Sequence, residues 1–111
     1  LELPSRAIRE QIAAAINLIV HTSRLSDGSR KVMDIEEVRG IEGDVFTLQS
    51  LYAFRQRGFD EKGNVQGYFT ATGNAPQFVQ ELRQRGIDVD QSLFEIAPEE
   101  KERRKSEKRR R

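Results

Sequence analysis

Near the N-terminus, apolar residues recur at three- and four-residue spacing: Ala7, Ile8, Ile12, Ala15, Ile16 and Ile19. Arg6, Arg9, Glu10 and Gln11 form the polar face. That period predicts an amphipathic helix over residues 4–17. Pro4 suits its first turn, where a missing N–H has no bond to lose. The period then changes. "LIVHTSR", Leu18–Arg24, is β-branched and reads as a strand, although its first residues could equally extend the helix. "LSDGS" is a turn signal in which Gly28 can take a positive φ at low cost. "RKVMDIEEV" alternates imperfectly, which predicts a second strand with a bulge or bend near Asp34. Gly40 and Gly43 in "RGIEGD" mark another turn.

Further along, "VFTLQSLYAFRQRG" predicts a strand over residues 45–49, a break near Ser50 and a strand over 52–56. "FDEKGN" is a polar turn centred on Lys62, Gly63 and Asn64, and "VQGYFTATG" returns as a strand. Asn74 and Pro76 supply a helix start. Phe78, Val79 and Leu82 give that helix an apolar face up to Arg85, and Gly86 stops it. Ile87, Val89, Leu93 and Phe94 are expected to pack the chain back onto the body. The predicted class is α+β: an N-terminal helix, antiparallel strands in hairpins, and a C-terminal helix.

The 111 residues suffice for one small domain, and the absence of cysteine excludes disulfides, thiolate chemistry and cysteine metal sites. No apolar run approaches the roughly 18 residues of a membrane helix. The first residues lack a signal-peptide pattern and open inside an amphipathic one, as expected of a piece excised from a larger protein. Charge is uneven. Residues 99–111 hold eight basic and four acidic side chains, so the first 98 carry a net −3 within a whole-chain charge of +1. This basic tail, "EEKERRKSEKRRR", has no apolar residue to bury and is expected to be either a charged helix or disordered. Residues 1–96 therefore form the body and 97–111 the tail. A mildly acidic body argues against specific nucleic-acid binding, leaving only the tail to support it.

Spacing alone assembles no catalytic site. His21 is the single histidine, with no second metal ligand at a recognisable spacing, so it reads as a structural or partly exposed residue. Asp34 and Glu36 share a strand face, yet such carboxylates are mostly solvated. Asp60 and Glu61 lack the full calcium-loop pattern. Neither Gly-x4-Gly-Lys-Ser/Thr nor Gly-x-Gly-x-x-Gly occurs. "TATG", before the second helix, reads as a strand-to-helix joint. Arg24 and Arg30 remain. They flank the turn at Asp27 and Gly28, so both heads can reach the same side. Guanidinium forks match phosphate and carboxylate; the alternative is a solvated hairpin with rim charges.

Taken together, several segments resemble the C-terminal part of the motor domain in the CpaF/TadA-like family of pilus-assembly and type II/IV secretion ATPases. The family pattern has a helix of the type "RAIREQIASAI", here residues 6–16. A strand ending in Arg (19–24), the turn "DGSR" (27–30), a strand "V..I.EV.G.EGD" (32–44) and "TLQ" (47–49) follow. The later "G.F.ATG..P.F...L...G......LF" matches residues 67–94, and the likeness covers almost all of residues 3–95.

The resemblance implies the trailing portion of a RecA-like P-loop NTPase domain. Its complete protein would be a ring-shaped hexamer that turns ATP hydrolysis into pilus assembly or secretion. It would work in the cytoplasm against inner-membrane platform proteins. ATP and Mg²⁺ would be held by motifs upstream of Leu1, so this chain alone is expected to carry no cofactor, no metal and no catalytic residue. Arg24, Arg30, Arg6 and Arg9 become candidates for a nucleotide or subunit contact. The competing possibilities are a stand-alone protein-interaction module and, last, a nucleic-acid-binding domain acting through its basic tail.

Overall fold

A computed structural model describes residues 5–110. Helix α1 covers Ser5–Ala15, inside the predicted span, and Pro4 lies outside the described residues. Four strands follow: β1 (Leu18–Arg24), β2 (Arg30–Glu42), β3 (Val45–Phe59) and β4 (Val65–Ala71). They form one antiparallel sheet in the order β1-β2-β3-β4. Helix α2 (Phe78–Gln84), a 3-10 turn (Gln91–Phe94) and helix α3 (Pro98–Arg109) complete an α+β domain. Among the described residues no helix is long and apolar enough to cross a membrane.

The irregular alternation in the sequence maps onto bulges. His21 pairs with Asp34 but Thr22 with Val32, leaving Met33 as the extra residue at the expected bend. At Ser50 the sequence predicts a break, whereas β3 runs through unbroken. Ile35 pairs with Tyr52 and Glu36 with Ser50, so Leu51 is inserted as a bulge and becomes 2% exposed. An extra residue lets the strand turn an apolar side chain inward without ending. Gly40 likewise stays within β2, beside a bulge at Arg39, and the turn that follows is confined to Gly43 and Asp44.

The second helix starts later than expected. Asn74 does not cap it; its side-chain amide donates to the Ser50 carbonyl at 3.1 Å. The N–H of Gln77, next to Phe78, is instead taken by both carboxylate oxygens of Glu37, at 2.8 and 3.0 Å. A strand residue 40 positions away thus does the work of a local cap.

The buried apolar set is small: Leu51, Val65, Ala71 and Val79. Leu51 and Ala71 lie on β3 and β4 and Val79 on α2, whereas Val65 opens β4 beside the Asp27 turn. The Tyr52 hydroxyl donates to the Leu93 carbonyl at 2.6 Å, and its ring stacks on Phe69 at 5.7 Å between centroids. Gly67 is required by closeness. A Cβ there would stand 2.4 Å from the Arg55 carbonyl oxygen and 2.6 Å from the Phe54 ring. By contrast, α1 has no buried residue, and six of the seven residues of β1 are exposed.

Candidate functional site

The two arginines singled out by the turn do come together. Arg24 and Arg30 are direct cross-strand partners at the mouth of the β1–β2 hairpin. Both are exposed. Neither makes a side-chain hydrogen bond to the rest of the described chain, and neither has an ion-pair partner there. Like charges placed directly opposite weaken a hairpin, so the pair adds no electrostatic support to the turn. Arg6, by contrast, is held by Glu10 at 3.2 Å one helical turn away, and Arg9 is half-buried on the same helix. No hydrogen bond or ion pair joins the α1 arginines to the hairpin arginines among the described residues.

The turn beneath Arg24 and Arg30 is rigidly built. Gly28 has φ 86°, and the Leu25 N–H bonds to the Ser29 carbonyl at 2.8 Å. One oxygen of Asp27 accepts from the Ser29 N–H at 2.8 Å and from its hydroxyl at 2.5 Å. The other accepts from the Val65 N–H at 2.7 Å. Val65 opens β4, two strands away from β2 in the sheet, so this bond ties the hairpin tip to the far strand and needs a coiled sheet. The Ser29 hydroxyl, then the Val65 and Ser29 amides, hold the Asp27 carboxyl at about 2 against an ordinary 3.8, and Lys31 adds to this.

A pH dependence follows with a defined sign. A carboxyl depressed in the fold stabilises above its unfolded value and loses that stabilisation as protons reach it. Asp27 should therefore contribute fully above about pH 4 and decreasingly down to about 2. Asp27→Asn is expected to remove this part of the acid sensitivity, read by denaturation midpoints between those pH values. An unchanged acid profile would deny the tie between the turn and β4.

The neighbouring "DEKGN" turn is equally self-satisfied. Asp60 accepts from the Lys62 and Asn64 amides at 2.9 and 2.8 Å and from the Asn64 side chain at 3.1 Å. These bonds, led by the Asn64 amide, lower its pKa. Asp60 thus closes a turn instead of opening towards a cation. His21 faces its cross-strand partner Asp34 at 3.3 Å.

A cluster with no counterpart in the sequence expectations sits under α3. Glu100 is fully buried. Arg103 grips it with two donors, at 2.6 and 3.1 Å, and Arg104 adds one at 3.2 Å. The Tyr68 hydroxyl donates at 2.9 Å, and Arg55 approaches to 3.5 Å with its Nε buried and unbonded. Arg103 above all, with Tyr68 and Arg104, holds the Glu100 carboxyl at about 2 against 4.5. The same contact raises the Tyr68 hydroxyl, whose burial is the larger cause. The local signal was present as arginines three and four positions after a glutamate, but not the burial. These groups fasten the tail helix to the sheet; they form no reacting pair.

No protein-family model matches this chain, and no curated protein matches it significantly.

Proposed function

We propose that this chain is the C-terminal part of the motor domain of a CpaF/TadA-like ring ATPase that drives pilus assembly or protein secretion at the cytoplasmic face of a bacterial inner membrane. In this role the upstream part of the motor holds ATP and Mg²⁺. The present residues brace that part and present Arg24 and Arg30 to a nucleotide or to a neighbouring subunit. The carrying observation is the uncovered N-terminal flank. Ile8, Ile16, Leu18, Ile19 and Val20 are each 40–54% exposed along α1, β1 and the link between them, while the buried apolar residues come from β3, β4 and α2. Leu18 and Val20 share one face of β1 and Ile19 takes the other, so this edge strand exposes apolar side chains on both faces, as suits contact with another body. The ordered resemblance along residues 3–95 supports reading that body as the preceding motor core.

The basic tail lends little support to nucleic-acid binding, because Arg103 and Arg104 are turned inward onto Glu100. A stand-alone interaction module would equally use the apolar flank, but it leaves the unpartnered arginine pair without a purpose.

The test has two arms. The isolated chain should hydrolyse no ATP above background. In the complete protein, Arg24→Glu with Arg30→Glu should abolish ring assembly or lower ATP turnover. The same pair should leave the stability of the isolated chain within about 0.5 kcal/mol, as for other exposed substitutions. Turnover by the isolated chain, or an unaffected ring, contradicts the proposal.

A further inference from the structure

An open cleft of about 710 Å³ lies between α2, the 3-10 turn and α3, within the range of small-molecule sites. Four cations line it from three elements: Arg39 of β2, Arg83 of α2, and Lys101 and Arg104 of α3. Glu95 is the one carboxylate in the lining, and Glu37 lies behind the wall, engaged with the Gln77 N–H. Arg104 is partly occupied by Glu100 and by the Thr72 carbonyl, and Arg39 by the Gln49 amide. Arg83 and Lys101 have no ion-pair partner among the described residues.

The rest of the wall is mixed: Gln77, Gln80 and Gln91 are polar, and Pro76, Val79, Phe94 and Ile96 supply apolar surface. The Phe94 ring lies 6.4 Å from the Tyr52 ring between centroids, and the Tyr52 hydroxyl donates to the adjoining Leu93 carbonyl. Cations from three elements lining one cleft beside apolar side chains suit an anion joined to an organic body. Four cations against one lining carboxylate exceed what a single carboxylate ligand would need, and guanidinium with ammonium suits a phosphate.

We propose that this cleft binds a phosphate ester, its phosphate between Arg83, Lys101 and Arg39 and its organic part against Phe94 and Ile96. The site is separate from the Arg24–Arg30 hairpin and stands whether or not the chain belongs to a motor. A soluble nucleotide and a lipid headgroup share this chemistry.

The full chain, isotope-labelled for NMR, is titrated with adenosine monophosphate, with a soluble short-chain phosphatidylglycerol, and with inorganic phosphate. At least one ester should give saturable shifts at the amides of residues 80–83 and 94–96, and which one responds separates a soluble source from a lipid one. Inorganic phosphate should bind weaker by about tenfold or more, lacking the wall contact. Arg83→Gln with Lys101→Gln should weaken the ester by about tenfold, the value of one charge-assisted contact. Each single substitution serves if the pair fails to fold. Absence of saturable shifts with both esters, shifts mapping outside the cleft, equal affinity for inorganic phosphate, or unchanged affinity in the variants would overturn the proposal.

Discussion

Glu100→Gln is expected to destabilise the chain by about 2–3 kcal/mol, the scale of losing hydrogen bonds to a charged group. The substitution keeps the shape but removes the charge that gathers Arg103, Arg104 and Arg55 under α3. A fully enclosed ion pair would cost more to break. Here the guanidiniums retain access to water, their side chains being 37–46% exposed, which limits the loss. Glutamine keeps only one acceptor oxygen, for which the Tyr68 hydroxyl and two guanidiniums must compete, and its NH2 group faces those donors with another donor. The acid response should change too. With its carboxyl held at about 2 against 4.5, Glu100 stabilises fully above about pH 4.5 and loses this as pH falls toward 2. The variant should flatten that limb in chemical denaturation followed across pH. A loss under about 0.5 kcal/mol would instead place the cluster among ordinary surface bridges.

Leu51→Ala should cost about 2–5 kcal/mol, the range for a buried leucine whose cavity closes only in part. Leu51 has the largest apolar side chain among the fully enclosed residues and sits in the β3 bulge. The Leu51 carbonyl also accepts the Thr72 N–H at 3.0 Å, so the backbone around it is fixed to the exit of β4 and cannot readily collapse inward. Each kcal/mol lowers the thermal midpoint by roughly 4–8 °C in a domain of this size. Few other apolar residues are fully buried, so this one substitution should bring the chain near its folding threshold. Leu51→Met, which nearly conserves volume, should cost less than about 1.5 kcal/mol. Equal losses for both would locate the effect in the bulge backbone and not in the packing.

Local patterns carried much of the architecture. The period of Ile8, Ile12 and Ile16 announced α1, and the Asp27–Gly28 turn announced the first hairpin with its opposed arginines. The faltering alternation at Asp34 announced a bulge. Long-range choices were hidden for physical reasons. Ser50 looked like a strand end because a bulge and a break interrupt alternation in the same way. Asn74 looked like a cap because nothing local reveals that Glu37, on another strand, takes the Gln77 N–H. The tail offered no apolar stripe, so its attachment through a buried carboxylate was invisible to hydrophobic periodicity. The basic cleft was equally illegible, since its cations come from β2, α2 and α3. Arg24 and Arg30 could be found because a hairpin makes sequence neighbours into spatial ones.

The central claim is that these residues complete a motor whose nucleotide machinery precedes them. Its most direct test is the coding sequence upstream of Leu1. The account predicts, in the same reading frame, a Gly-x4-Gly-Lys-Ser/Thr loop followed by an acidic magnesium-binding motif. A complete upstream frame without a phosphate-binding loop would contradict it.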